Sequence, residues 1–75
     1  MIPRQLPRLV TDALENRWAV DLRPLSVTLF AYFTSRSGHG DEVEIQWIEG
    51  RVAESYINGV PTPYAQCARL IRATP

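Results

Sequence analysis

Lysine is missing altogether. All eight basic residues of this 75-residue chain are arginine, set against eight acids for a formal net charge of zero. A zero balance argues against a dedicated duplex-binding protein, because such proteins draw most of their affinity from neutralising phosphates. Cysteine and histidine each occur once, as Cys67 and His39. A single thiol excludes an intrachain disulfide, and one Cys with one His cannot make a structural zinc cluster. An unpaired thiol also fits a reducing compartment better than a secreted one. Long apolar runs are lacking too. The opening "MIPRQLPRLV" carries prolines and arginines where a signal peptide needs an apolar core, and no stretch is long enough to span a bilayer. The expected location is cytoplasmic, with no membrane partner. There is no Gly-rich phosphate loop and no helix-borne ligand pair, so no catalytic residue set, metal or cofactor is expected.

A chain this short makes one domain, residues 1–75, and removes only about 60% of its extended surface from water on folding. Without a disulfide or metal to staple it, self-association is a physical expectation, and a homodimer is a candidate assembly.

What charge there is lies unevenly. Residues 1–40 hold five arginines and three acids, a net +2; residues 41–54, "DEVEIQWIEGRVAE", hold five acids and one arginine, a net −4; Arg69 and Arg72 make the remainder +2. A central acidic block is flanked by mildly basic ends.

Periodicity supplies the elements. Leu6, Leu9, Val10, Ala13 and Leu14 recur at helical spacing, with Arg8, Asp12 and Glu15 turned away, which predicts a helix from about Pro7 to Trp18. "AVDLRP" is ambiguous, since Pro24 demotes a strand. "LSVTLFAYFTS" predicts a strand with Leu25, Val27, Leu29, Ala31 and Phe33 inward, and "SGHGD" predicts a hairpin tip. "EVEIQWIEG" alternates, with Val43, Ile45 and Trp47 inward. "VAESYI" predicts a third strand with Ala53, Ser55 and Ile57 inward and Val52, Glu54 and Tyr56 outward. The fold class is therefore α+β, a helix, a three-stranded antiparallel meander and a second helix, with one face of the sheet open.

The residue-dense stretch "NGVPTPYAQCARLIR" reads as a joint. Asn58-Gly59 supplies a turn or the tip of a short return, Thr62 and Pro63 start a helix, and Tyr64, Cys67, Ala68 and Ile71 share its inner face. Cys67 on that apolar stripe is expected to be a buried, inert thiol, because a reactive thiolate needs electropositive, partly exposed surroundings. His39, between Gly38 and Gly40, sits on a tip too mobile for a preorganised base. An enzyme is not expected.

The helix–three strands–helix order is similar to that of double-stranded-RNA-binding domains, and "YAQCARLI" loosely echoes their Ala-rich final helix. Those domains grip phosphates with a lysine cluster at the start of that helix. Here the position reads "VPTPYAQ", with no basic residue before Arg69, so RNA binding does not follow from the resemblance.

The open face is expected to carry Phe30, Tyr32, Glu42, Glu44, Glu54 and Tyr56. Aromatic groups within a carboxylate rim point to a protein-binding surface whose partner is basic. The expected function is a small non-enzymatic binding module, a stoichiometric inhibitor or adaptor. Chains of this size and charge occur among phage and mobile-element accessory proteins that block host nucleic-acid-handling complexes. The alternative is a nucleic-acid-associated regulator that binds weakly through Arg4, Arg8, Arg69 and Arg72, as a monomer or a dimer. The competing reading of this face is that residues 19–24 or a second copy of the chain cover Phe30 and Tyr32, and that the glutamates are a solvated strand face.

Overall fold

Five strands, not three, lie between the two helices. The architecture is that of a computed structural model, which describes residues 2–36 and 40–73. The order is α1 (Leu6–Glu15), β1 (Trp18–Leu25), β2 (Thr28–Ser35), β3 (Glu42–Ile48), β4 (Arg51–Ile57), β5 (Val60–Pro61) and α2 (Tyr64–Ala73). The strands form one antiparallel sheet in sequence order. The α+β class and the helix–sheet–helix order hold, while the strand count departs from the three of double-stranded-RNA-binding domains.

Two further strands, β1 at the front and β5 at the back, account for the difference. At the front, Pro24 does not prevent β1 from forming, because β1 is an edge strand and its residue 24 faces away from β2; an absent N–H there breaks no ladder bond. The helix therefore ends at Glu15, and Trp18 opens a strand instead of closing α1. A turn at Ser26, where φ is 58°, and Val27 then splits the expected long strand. Leu25 and Val27, expected inward, are consequently exposed at 67% and 57%. At the back, Asn58 and Gly59 have φ of 52° and 80°, the left-handed pair of a two-residue hairpin turn, which returns the chain as β5. Glu49 and Gly50, at 51° and 80°, repeat the device between β3 and β4.

The core lies between the helices and one sheet face. Leu6, Leu9 and Ala13 of α1 and Cys67, Ala68 and Ile71 of α2 meet Ala31, Phe33, Val43, Ile45 and Trp47 of the sheet, with Trp18 alongside. Burying each of the larger side chains contributes roughly 1.5–3 kcal/mol. The Trp47 indole meets the Tyr64 ring edge-on at 6.3 Å, but its buried N–H has no acceptor among the described residues, so burial and packing hold it. Leu14, expected on the core face of α1, is exposed. A bulge corrects β4. Gln46 pairs with Glu54 while Trp47 pairs with Val52, which leaves Ala53 unmatched. Val52 thus packs against the core and Ala53 faces out, the reverse of strict alternation, whereas Ser55 and Ile57 keep their inward positions.

Side chains fasten the ends of this small fold. Asn16 closes α1 and donates from Nδ2 to the carbonyls of Ile71 (2.8 Å) and Arg72 (2.7 Å), at the end of α2. Asn58 accepts from the Glu42 amide and donates to Asp41, fixing the start of β3. The Thr62 hydroxyl donates to the Val60 carbonyl, so it does not cap α2 as its sequence position suggests; the Pro63 carbonyl accepts the first helical bonds, from Gln66 and Cys67.

The Asn16 linkage gives a direct test. Asn16→Ala should lower stability by about 1–2 kcal/mol, equivalent to a fall in Tm of roughly 4–8 °C per kcal/mol for a domain this small. Asn16→Asp should be worse, since a carboxylate would face two carbonyls with nothing to donate. Thermal melts followed by circular dichroism would measure both, and wild-type melting of Asn16→Asp would refute the role.

Candidate functional site

The open face is ordered in rows by strand register. One row runs Asp21–Tyr32–Glu44–Tyr56–Pro61 across all five strands, and the next runs Arg23–Phe30–Gln46–Glu54. Residues directly opposite on neighbouring strands are the closest side-chain pairs of a sheet. Glu44 therefore stands between two tyrosines. A depression of about 510 Å³ opens here, lined by Tyr32, Thr34, Glu42, Glu44, Tyr56 and Gly59 among others.

Four of the six expected residues, Tyr32, Glu42, Glu44 and Tyr56, come together around this depression. Phe30 and Glu54 lie in the adjoining row, on the same face but outside the lining. Glu42 and Glu54 are exposed, and Phe30, Tyr32, Glu44 and Tyr56 are half-buried. Residues 19–24 extend the sheet beside the aromatics as β1, and of them Arg23 reaches over the Tyr32 ring.

That edge brings a residue that sequence reasoning passed over. The Arg23 guanidinium lies over the Tyr32 ring, 5.5 Å from its centroid, and its Nε donates to Asp21 Oδ2 at 2.9 Å. The alternation of Asp21 and Arg23 with Val20 and Leu22 was the available signal, and Pro24 masked it. The ring of Tyr32 thus already holds a cation of its own chain.

At the far end, the Tyr56 phenol is pushed above its ordinary range, first by its hydrogen bond to Glu54, then by desolvation and by the negative charges of Glu54 and Glu44. It stays a neutral donor at neutral pH, hydrogen-bonded to Glu54.

The arginines of the alternative surface are arranged differently. Arg8 Nε lies 3.6 Å from Asp12 Oδ1, and Arg72 Nε donates to Asp12 Oδ2 at 2.7 Å. One carboxylate thus joins the two helices and takes up charge from two of the four arginines. Arg69 shares a shallow depression with Arg72 on α2, and Arg4 precedes α1.

Cys67 is buried; its Sγ faces the Thr62 carbonyl at 3.8 Å, which also accepts from the Ser55 hydroxyl. Burial pushes the thiol above its ordinary 9.0, offset in part by Ser55. His39 lies outside the described residues. Among the described residues no three His, Cys, Asp or Glu side chains converge as metal ligands, and no helix is long and apolar enough to cross a membrane. Comparison with protein-family models, curated proteins and solved structures finds no match to this chain.

The Cys67 environment predicts a pH dependence. Its folded pKa is raised, so above about pH 9 the unfolded chain loses a proton that the folded chain keeps, and stability falls as pH rises. Burial raises Tyr64 in the same sense from its ordinary 10.0. Melting temperatures measured from about pH 8 to about pH 10.5 should decline, and Cys67→Ala should make the decline shallower. An identical slope in the variant would show that the thiol contributes nothing.

Proposed function

We propose that this protein is a non-enzymatic binding module that takes a basic surface of another protein onto its open sheet face. The row Tyr32–Glu44–Tyr56, a carboxylate between two aromatic rings at the floor of a depression, is the observation that carries the reading. An arginine or lysine side chain entering there meets a charge partner in Glu44, a second in Glu42 at the rim, and the Tyr56 ring, while the Tyr32 ring already carries Arg23. Such a module acts by occupancy, as a stoichiometric inhibitor or adaptor of its partner. The nucleic-acid alternative, through Arg4, Arg8, Arg69 and Arg72, has less to support it, since Arg8 and Arg72 share Asp12. It predicts affinity that falls steeply with salt.

A titration of isotope-labelled protein with a short oligoarginine peptide, read by NMR, tests the proposal. Amide shifts should concentrate at Tyr32, Glu44 and Tyr56, and an oligoglutamate peptide should cause none there. Glu44→Arg combined with Tyr32→Ala should weaken the response at least about tenfold while leaving the melting transition in place, because both residues are on the open face. A response unchanged by the double substitution would remove the face from consideration.

A further inference from the structure

The two sheet edges are unequal. β5 is a two-residue strand, whereas β1 presents eight residues with no strand on its outer side. Which backbone groups point outward follows from one hydrogen bond. Ser35 donates its amide to the Asp41 carbonyl at 2.9 Å, which turns the odd-numbered residues of β2 towards β3 and the even-numbered ones towards β1. Their β1 partners are Ala19, Asp21, Arg23 and Leu25. The N–H and C=O groups of Val20 and Leu22, and the carbonyl of Pro24, therefore face away from the sheet, and among the described residues no backbone bond outside the β1–β2 ladder reaches them. An open edge of this kind is a template for another strand, and proteins that must stay monomeric usually blunt it. Residues 21–25 are all exposed, Leu22 at 41% on the helix side of the sheet. Of the features that blunt an edge, β1 carries the charges of Asp21 and Arg23 and, near its end, Pro24, but no bulge and no lysine.

We infer that the partner for this edge is β1 of a second copy, paired antiparallel about a twofold axis at Leu22. Charge selects the occupant and the register. Outward-facing residues must oppose each other, so the axis passes through Asp21, Leu22 or Arg23 if the middle of the strand is used. An axis at Asp21 sets two aspartates face to face, and one at Arg23 sets two arginines together. An axis at Leu22 places Asp21 opposite the partner's Arg23 and Arg23 opposite the partner's Asp21, on the open face. Within one chain these two side chains already form an exposed ion pair, at 2.9 Å with 54% and 70% of each side chain accessible. The dimer extends that pair into a closed ladder of alternating sign. On the helix side Leu22 packs against its own symmetry mate. In the backbone, the two Leu22 residues exchange both bonds, and each Val20 N–H donates to the partner's Pro24 carbonyl. Pro24 opposes Val20 as an acceptor only, so each side loses one bond and the Pro24 ring meets the partner's Val20 carbonyl, which ends the ladder there.

The twofold axis stands perpendicular to the sheet, so the two five-stranded sheets join into one, with both Tyr32–Glu44–Tyr56 rows on the same surface. The inference does not depend on what those rows bind. A contact built mainly on one strand pair falls at the small end of specific interfaces, so the dimer dissociates in the micromolar range.

Sedimentation equilibrium from about 10 µM to about 1 mM tests it. The wild-type chain should show a reversible monomer–dimer equilibrium. Asp21→Arg and Arg23→Asp should each raise the dissociation constant at least about tenfold, since each puts like charges across the axis. Mixed in equal amounts, the two variants should form a one-to-one heterodimer, which an intrachain role for the ion pair cannot produce. Leu22→Glu places two carboxylates at the axis and should dissociate the dimer without lowering the monomer's melting temperature. A wild-type chain that stays monomeric throughout overturns the inference. So does a dimer indifferent to Leu22→Glu, or a pair of folded charge variants that fail to associate when mixed.

Discussion

The alternation of β3 is the constraint on which the other features of this fold depend. Val43, Ile45 and Trp47 are buried to within 1% of completely, and they are the layer that α1 and α2 close over. The strand has period two, so burying those three side chains sends Glu42, Glu44 and Gln46 to the opposite face. A slip of one residue would place two glutamates under the helices and expose a tryptophan. The acidic face is in this sense the other side of the core: the same geometry that buries apolar surface collects the carboxylates.

Turn chemistry then decides which residues join that face. The left-handed pairs at Glu49-Gly50 and Asn58-Gly59 hold β4 and β5 in tight register, and this register sets Tyr56 beside Glu44. The bulge at Ala53 changes the inward set only at the start of β4, so Val52 reaches the core while Glu54 and Tyr56 remain outside. At the other margin β1 contributes an ion pair and a guanidinium stacked on Tyr32. Charge on the open face is thus graded, from a neutralised pair at β1 to carboxylates over β3 and β4 that have no ion-pair partner among the described residues.

With no disulfide, a chain of this size relies on polar links between elements distant in sequence. Asn16 ties the end of α1 to the end of α2, Asp12 joins the same helices through Arg72, and Thr62 connects β4 to α2 through Ser55 and Cys67. Each is cheap to form once the core has placed its partners, and each satisfies backbone or charged groups that helix ends leave open. The free edge of β1 is the one long backbone surface among the described residues that these links leave unsatisfied.

Local pattern was enough for the α+β class, both helices, the inward set of β3, the turn at Asn58-Gly59 and the burial of Cys67, because periods of 3.6 and 2 and the glycine requirement of positive φ are written in nearest neighbours. It also indicated which aromatic and acidic residues share a face. It was not enough for β1, whose Pro24 is harmful in a central strand and harmless on an outer edge, a distinction that depends on where the strand lies in the sheet. Nor did it reveal the bulge at Ala53, the exposure of Leu25 and Val27, or the cation stacked on Tyr32, since each depends on a partner strand brought alongside by folding. Sequence determined what each residue could tolerate on its own. Tertiary structure decided which neighbours it met, because strand position and register are properties of the whole sheet.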